Sequence, residues 1–193
     1  PSTRLEVFAG PRRLIPADAA ADLADAVASA NWYATALVAA SAGDGLLIDI
    51  GSTTTDIVPL VGGGPRHRGY TDAERLASGE LVYTGLVRTP VMAVARTVPI
   101  AGRWRTLMAE LFATMADVHR LTGTLPEGAD QHPTADGRDP GIPSSARRLL
   151  RMVGEDLRPD TLPMAHRLAH HLAERQLRQI EDALDQVLSN SPL

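Results

Sequence analysis

The sequence predicts a mixed α/β fold, on three observations. Two β-branched runs, residues 46–50 and 55–60, flank a short polar turn and read as a hairpin. Apolar residues recur at helical spacing over residues 104–118 and again over 162–188. Glycine- and proline-bearing stretches at 41–45, 62–65 and 125–143 punctuate the chain between them.

Residues 5–9 read as a short strand that stops at Gly10-Pro11, because proline has no N–H for a ladder. From Pro16 the pattern turns helical: Pro16 and Asp18 suit a first turn, and Leu23, Val27, Ala30 and Ala34 follow at helical spacing. Ser29-Ala30-Asn31-Trp32 divides this stretch into two helices, the second reaching about Ala40. After the hairpin, Gly62-Gly63-Gly64-Pro65 closes the unit. Thr71 and Glu74 stand at capping-box spacing and predict a short helix.

Residues 80–90 read as a strand with a bend at Gly85, and residues 91–100 as a second strand broken by Pro99. Trp104, Leu107, Met108, Leu111, Phe112, Met115 and Val118 line one side of a predicted amphipathic helix that Gly123 stops. The segment 125–143 is longer than most loops in compact domains, which points to function or mobility. A short basic helix over 144–153 and a long one over 162–188 complete the chain. The glycine run divides it into a phosphate-loop portion, residues 1–64, and a substrate-side portion, residues 65–193.

Composition narrows the function. At 193 residues the chain buries a core as one domain or two small ones. The net charge of -4 gives no general electrostatic case for nucleic acid or an anionic membrane, and neither is expected as a partner. Cysteine is absent, which excludes disulfides and thiolate chemistry and fits a cytoplasmic location. No apolar run approaches the roughly 20 residues that cross a bilayer. All 19 basic residues are arginine, so a P-loop lysine, a Schiff base and a lysine general base are excluded.

The hairpin turn holds the densest chemistry. Gly51 and four hydroxyl side chains, Ser52, Thr53, Thr54 and Thr55, stand between Asp49 and Asp56. Backbone N–H groups of a tight turn converge on phosphate oxygens, and hydroxyls add donors. The carboxylates are poorly placed to meet phosphate directly, but reach it through Mg²⁺, which prefers hard oxygen ligands and keeps its waters. A ligand-free polar hairpin turn is the competing reading.

Five blocks together carry a family resemblance: Ala28-Ser29-Ala30-Asn31-Trp32, Asp49-Ile50-Gly51-Ser52-Thr53-Thr54-Thr55-Asp56, Gly69-Tyr70-Thr71-Asp72-Ala73-Glu74-Arg75-Leu76, Gly79-Glu80-Leu81-Val82-Tyr83-Thr84-Gly85 and Asp130-Gln131-His132-Pro133-Thr134-Ala135-Asp136-Gly137-Arg138. On these the chain resembles the hydantoinase/oxoprolinase-type branch of the sugar-kinase, heat-shock-protein and actin superfamily. Within that branch it is similar to members associated with tetrahydromethanopterin-linked C1 transfer. The resemblance implies an actin-like, RNase-H-like two-lobed fold lacking the N-terminal part of its first lobe. It also implies methanofuran-type cofactor biosynthesis by a transferase that joins a furan-methyl diphosphate to γ-glutamyltyramine and expels pyrophosphate. ATP-dependent kinase or hydantoinase-like hydrolase activity stays open, as does a non-catalytic nucleotide- or partner-binding subunit.

The resemblance covers roughly the last two thirds of such a protein. The relatives' first phosphate loop, of the Asp-x-Gly-Gly type, has no counterpart in the sequence, which starts at Pro1. An upstream segment, a partner chain or a homo-oligomer is therefore expected to complete the site, unless full activity has been lost. Asp49 is expected to hold Mg²⁺ and act as a catalytic carboxylate, with Gly51, Ser52, Thr53 and Thr54 on the phosphates of ATP or of a diphosphate substrate.

Other candidates come with competing readings. Asp72 and Glu80 are site carboxylates, or Asp72 only favours a helix N-terminus. In a regular strand Glu80, Thr84 and Arg88 share one face and Tyr83 lies on the other. Tyr83, Thr84 and Arg88 are taken as substrate-binding, with Arg88 suited to a bidentate grip on a carboxylate or else to a surface ion pair. His132 is a substrate contact on the long loop, or with Asp130 and Asp136 part of a usable metal ligand set, or the loop is structural only. His166 and His170, four apart, lack a third ligand, and Asn31 and Trp32 are read as packing and capping.

Overall fold

Alternating β-branched residues on both sides of a tight turn give the hairpin its register, and the strands form where the sequence places them. The computed structural model describes residues 5–10, 14–28, 30–191 and 193. Strands β3 (Gly45–Ile50) and β4 (Thr55–Val61) are neighbours in a four-stranded sheet with β5 (Gly64–Pro65) and β6 (Leu81–Val82), the last also paired with β4. The β4–β5 register, Leu60 opposite Pro65 and Val61 opposite Gly64, turns on Gly62 and Gly63 at positive φ. The chain is mixed α/β and splits into two compact units, drawn differently from a cut at residue 64. One comprises residues 1–49, 56–82 and 183–193, the other residues 50–55 and 83–182.

In the first unit, β1 (Glu6–Phe8) pairs antiparallel with β2 (Leu14–Pro16). Pro16 thus ends a strand rather than opening a helix, and Pro11 lies outside the described residues. Two 3₁₀ turns and α1 (Ala24–Ala28) precede α2 (Asn31–Ala40). Trp32, Ala36 and Ala40 recur every four residues on α2 and pack with Val58 and Leu60 of β4, which supplies the unit's core. Helix α3 (Asp72–Ser78) has the predicted box: the Glu74 N–H donates to Thr71 Oγ1 and the Thr71 N–H to Glu74 Oε2 at 3.0 Å. The Thr71 and Tyr70 N–H groups hold the Glu74 carboxyl below its ordinary range.

The second unit departs from expectation in three places. Residues 80–90 are not one strand: Leu81–Val82, still in the first unit, pairs with β4, Pro90 makes an isolated bridge to Thr114, and the amides of residues 86–88 bond a neighbouring turn instead. Residues 91–100 divide into α4 (Val91–Val94), entered from the fixed φ of Pro90, and β7 (Thr97–Ile100). The helix predicted to begin at Trp104 begins only at Met115, as α5 (Met115–Thr122), because Arg103–Thr106 is strand β8. Ala101 and Gly102, at φ 49° and 76°, make the two-residue turn that locks Ile100 opposite Arg103 and Pro99 opposite Trp104.

Helix α6 (Ile142–Arg151) and the long α7 (Leu162–Ser189) match their predicted spans within two residues. Met115, Val118, Leu149, Leu150, Leu168 and Leu172 from α5, α6 and α7 are each at most 3% exposed and form the core with Val91 and Val98. Burying each such side chain contributes roughly 1.5–3 kcal/mol. Among the described residues no helix is long and apolar enough to cross a membrane.

Candidate functional site: a turn with free amides on a polar saddle

Residues 51–54 turn the chain between β3 and β4, closed by the Gly51 N–H on the Thr54 carbonyl at 2.9 Å. The outer carbonyls are then consumed: Gly51 O accepts from the Leu86 N–H at 3.0 Å, and Ser52 O from Val87 at 3.0 Å and Arg88 at 2.8 Å. Gly85 lets this saddle come close, since a Cβ there would lie 2.6 Å from both the Gly51 oxygen and the Thr53 nitrogen. Among the described residues no acceptor receives the N–H of Ser52, Thr53 or Thr54. The turn therefore offers three uncommitted amides and two neighbouring hydroxyls, Ser52 Oγ and Thr53 Oγ1, 3.4 Å apart. Thr55 is different: it is fully buried, and its hydroxyl donates to the Thr84 carbonyl at 2.8 Å.

A buried polar chain supports the saddle. Gln176 Nε2 donates to the Gly85 carbonyl and to Thr84 Oγ1, both at 2.8 Å. A carbonyl only accepts, so the amide orientation is fixed and Gln176 Oε1 faces His119 Nε2 at 2.8 Å. His119 therefore carries its proton on Nε2, with Nδ1 toward Thr124 Oγ1 at 2.8 Å. Burial pushes the His119 pKa down, against the Gln176 bond. Gln176 and His119 carry no motif in the sequence. Thr84, expected on substrate, is instead 2% exposed and belongs to this support.

Beside the saddle, Val87, Arg88, Pro90, Leu111, Asp117 and His132 help line a cavity of about 420 Å³. Arg88 and His132, both expected on substrate, are thus brought together, while Tyr83 is exposed and does not line it. Arg88 makes no ion pair among the described residues, which overturns the surface-pair alternative.

The metal set of Asp130, His132 and Asp136 does not assemble. Asp130 pairs with Arg120, and Asp136 with Arg148 at 3.0 Å. Arg148 also binds buried Asp117 at 2.6 Å, so these arginines fasten the loop to α5 and α6. His166 gives its Nδ1 to the Leu121 carbonyl at 3.0 Å. No group of three His, Asp or Glu side chains able to hold a metal occurs among the described residues.

The first unit holds the predicted carboxylates. Asp49 is half-buried and Asp72, in the first turn of α3, exposed; neither has a chain partner among the described residues. Asp56 pairs with Arg75 at 2.8 Å. Burial nevertheless raises the Asp56 pKa, opposed by Arg75 and aided by the charges of Asp49 and Asp72. Glu80 is not aimed at a ligand: at 1% exposure its oxygens accept from the Arg68 N–H at 2.6 Å, the Gly69 N–H at 3.1 Å and Ser78 Oγ at 3.0 Å. Arg75 ties the region together, donating to the Glu80 carbonyl at 2.9 Å and lying 4.0 Å over the Trp32 ring.

The hydroxyl-rich hairpin turn of this mixed α/β chain thus follows a strand-end aspartate and rests on a glycine saddle. The chain belongs to the hydantoinase/oxoprolinase family, whose model matches residues 3–191. It is 36% identical over 132 residues to the (4-{4-[2-(gamma-L-glutamylamino)ethyl]phenoxymethyl}furan-2-yl)methanamine synthase of Methanocaldococcus jannaschii, covering 67% of this chain and 40% of the relative. To the enzyme of the same name from Methanococcus vannielii it is 32% identical over 112 residues, 58% of this chain and 50% of the relative. The chain spans about half the length of these curated relatives or less, short of the two thirds that the resemblance implied.

Proposed function

We propose that this chain is the phosphate-loop and substrate-side part of a methanofuran-type synthase with an actin-like, two-lobed architecture. The observation that carries the reading is the turn itself, whose carbonyls are spent on the saddle while the amides of Ser52, Thr53 and Thr54 stay free. A diphosphate leaving group needs such donors, because negative charge grows on its bridging oxygen as the carbon–oxygen bond breaks. In the proposed reaction a phenolic oxygen forms a bond to the furan-methyl carbon, pyrophosphate departs, and the phenolic proton is released.

The names of the relatives describe a product with a phenoxymethyl link and a γ-glutamyl group. Arg88, with no ion pair among the described residues, suits the glutamyl carboxylate, with His132 lining the same cavity. Asp49, without a partner among the described residues, suits Mg²⁺, which takes one or two carboxylates and completes its shell with phosphate and water. That ion would neutralise diphosphate charge. Glu80 and Thr84 act as positioning residues, and Asp72 adds negative charge. A cytoplasmic location, a small phosphorylated substrate, and a partner chain or second copy supplying the first phosphate loop belong to the same proposal.

Calorimetry with pyrophosphate or ATP in the presence of Mg²⁺ tests the assignment. We expect Asp49→Ala to weaken that binding by about tenfold or more, a loss of ~1.4 kcal/mol, and Arg88→Gln to leave it unchanged while lowering turnover with a γ-glutamyl substrate by a similar factor. Unchanged affinity in Asp49→Ala would sink the metal role. ATP hydrolysis without any furan substrate would instead favour a kinase or hydrolase.

A further inference from the structure

A second cavity of the unit formed by residues 50–55 and 83–182, about 790 Å³, shares no lining residue with the Arg88 cavity. Its walls come from the α4–β7 connection, from Trp104 on β8 and from one side of α7. Trp104 is 70% exposed, and a ring that large forgoes substantial burial by remaining in water. It stands edge-on to His171, with ring centroids 6.2 Å apart. His171, Arg175 and Arg178 follow at i, i+4 and i+7, one face of the helix, and Arg96 joins them from the connection.

The charges here are not balanced internally. Arg178 pairs with Glu174 at 3.3 Å on the surface, whereas Arg96 and Arg175 have no ion pair among the described residues. His171 Nε2 is buried without a hydrogen-bond partner among the described residues, an arrangement that ordinarily costs about 1–3 kcal/mol. Burial first, and then the Arg175 charge, lower the His171 pKa, with Glu174 opposing, which favours a neutral ring at pH 7.

We propose that this cleft binds a planar aromatic anion, its ring stacked on Trp104 and its phosphate or carboxylate held by Arg96 and Arg175. Guanidinium groups match either anion with paired N–H donors, and an exposed indole is a stacking platform for any flat ring. The site is independent of the turn, so variants at Asp49 or Thr53 leave it intact.

Tryptophan emission reads the test, because Trp32 is 4% exposed and Trp104 is in water. The 193-residue chain is titrated with AMP, with 4-hydroxybenzoate and with inorganic phosphate. Saturable quenching by AMP or by 4-hydroxybenzoate, with Kd below about 1 mM, is expected. Which of the two binds more tightly separates a phosphorylated heterocycle from an aromatic carboxylate. Arg96→Gln and Arg175→Gln should each weaken it about tenfold, Arg103→Gln should leave it unchanged, and Trp104→Leu should lose binding by calorimetry. Absence of quenching by both aromatic anions overturns the proposal. So does quenching that survives both arginine changes, or inorganic phosphate competing as strongly as AMP.

Discussion

The turn at residues 51–54 and the loop at residues 123–141 are both irregular, polar and glycine-bearing, yet they spend their hydrogen bonds in opposite ways. In the loop several short side chains fold back on the loop's own backbone: Thr134 Oγ1 donates to the Arg138 carbonyl at 2.7 Å, the Arg138 N–H to Asp136, and the Gly141 N–H to Asp139. Arg120 and Arg148 take what remains of Asp130 and Asp136. In the turn the Gly51 and Ser52 carbonyls are consumed by the amides of residues 86–88, while the N–H groups of Ser52, Thr53 and Thr54 stay free among the described residues. Residue type does not separate a scaffold from a site here; the unspent half of the hydrogen-bond inventory does.

The largest expected effect comes from cutting the loop's anchor. Arg148→Met leaves Asp117, 2% exposed, with only the longer Arg120 contact at 3.6 Å, and should cost about 3 kcal/mol in urea unfolding while opening residues 123–141 to proteolysis. A cost under about 1 kcal/mol would break the contrast, since the loop would then not depend on its ion pairs. Next, Gly85→Ala pushes a methyl group into the turn backbone. It should cost about 1–3 kcal/mol and abolish pyrophosphate binding, because the saddle would no longer orient the amides.

Acid should loosen the saddle more gently. The His119 pKa is depressed in the fold, so its contribution is complete above the ordinary histidine value and is lost as pH falls through the folded one. His67, half-buried against Trp32 and Tyr33, acts in the same direction. Urea midpoints should therefore fall between pH 7 and pH 5, and fall less in His119→Gln. The smallest effect belongs to Asp136→Asn, whose half-exposed pair with Arg148 should be worth about 1 kcal/mol or less.

Much of this was legible in the sequence where the signal is local. The 46–50 and 55–60 runs gave the hairpin to within a residue, and Thr71 with Glu74 gave the capping box. The miss at 104–118 has a physical origin. Its apolar spacing satisfies a helix, but the turn that decides the register uses Ala101 at φ 49°, where a glycine or asparagine would have announced it. Arg88 and His132 were readable as polar residues in apolar or loop surroundings. Gln176 and His119 were not, because the Gln176 partners lie 57, 91 and 92 residues away and ordinary core packing surrounds both.

Gln186 donates to the Ala77 carbonyl across 109 residues, and Gly79 packs against the same side chain. The first unit is thus assembled from both ends of the chain, whereas most of the second is continuous over residues 83–182. During synthesis at ~5–20 residues per second, Ala77 waits roughly 5–20 s for Gln186 to be made. By the end of that interval the sequence of the second unit is complete, whereas the contact of Gln186 with Ala77 and Gly79 has only then become possible. Slow closure of long-range contacts would fall on the first unit, and a chaperone's attention should fall there too.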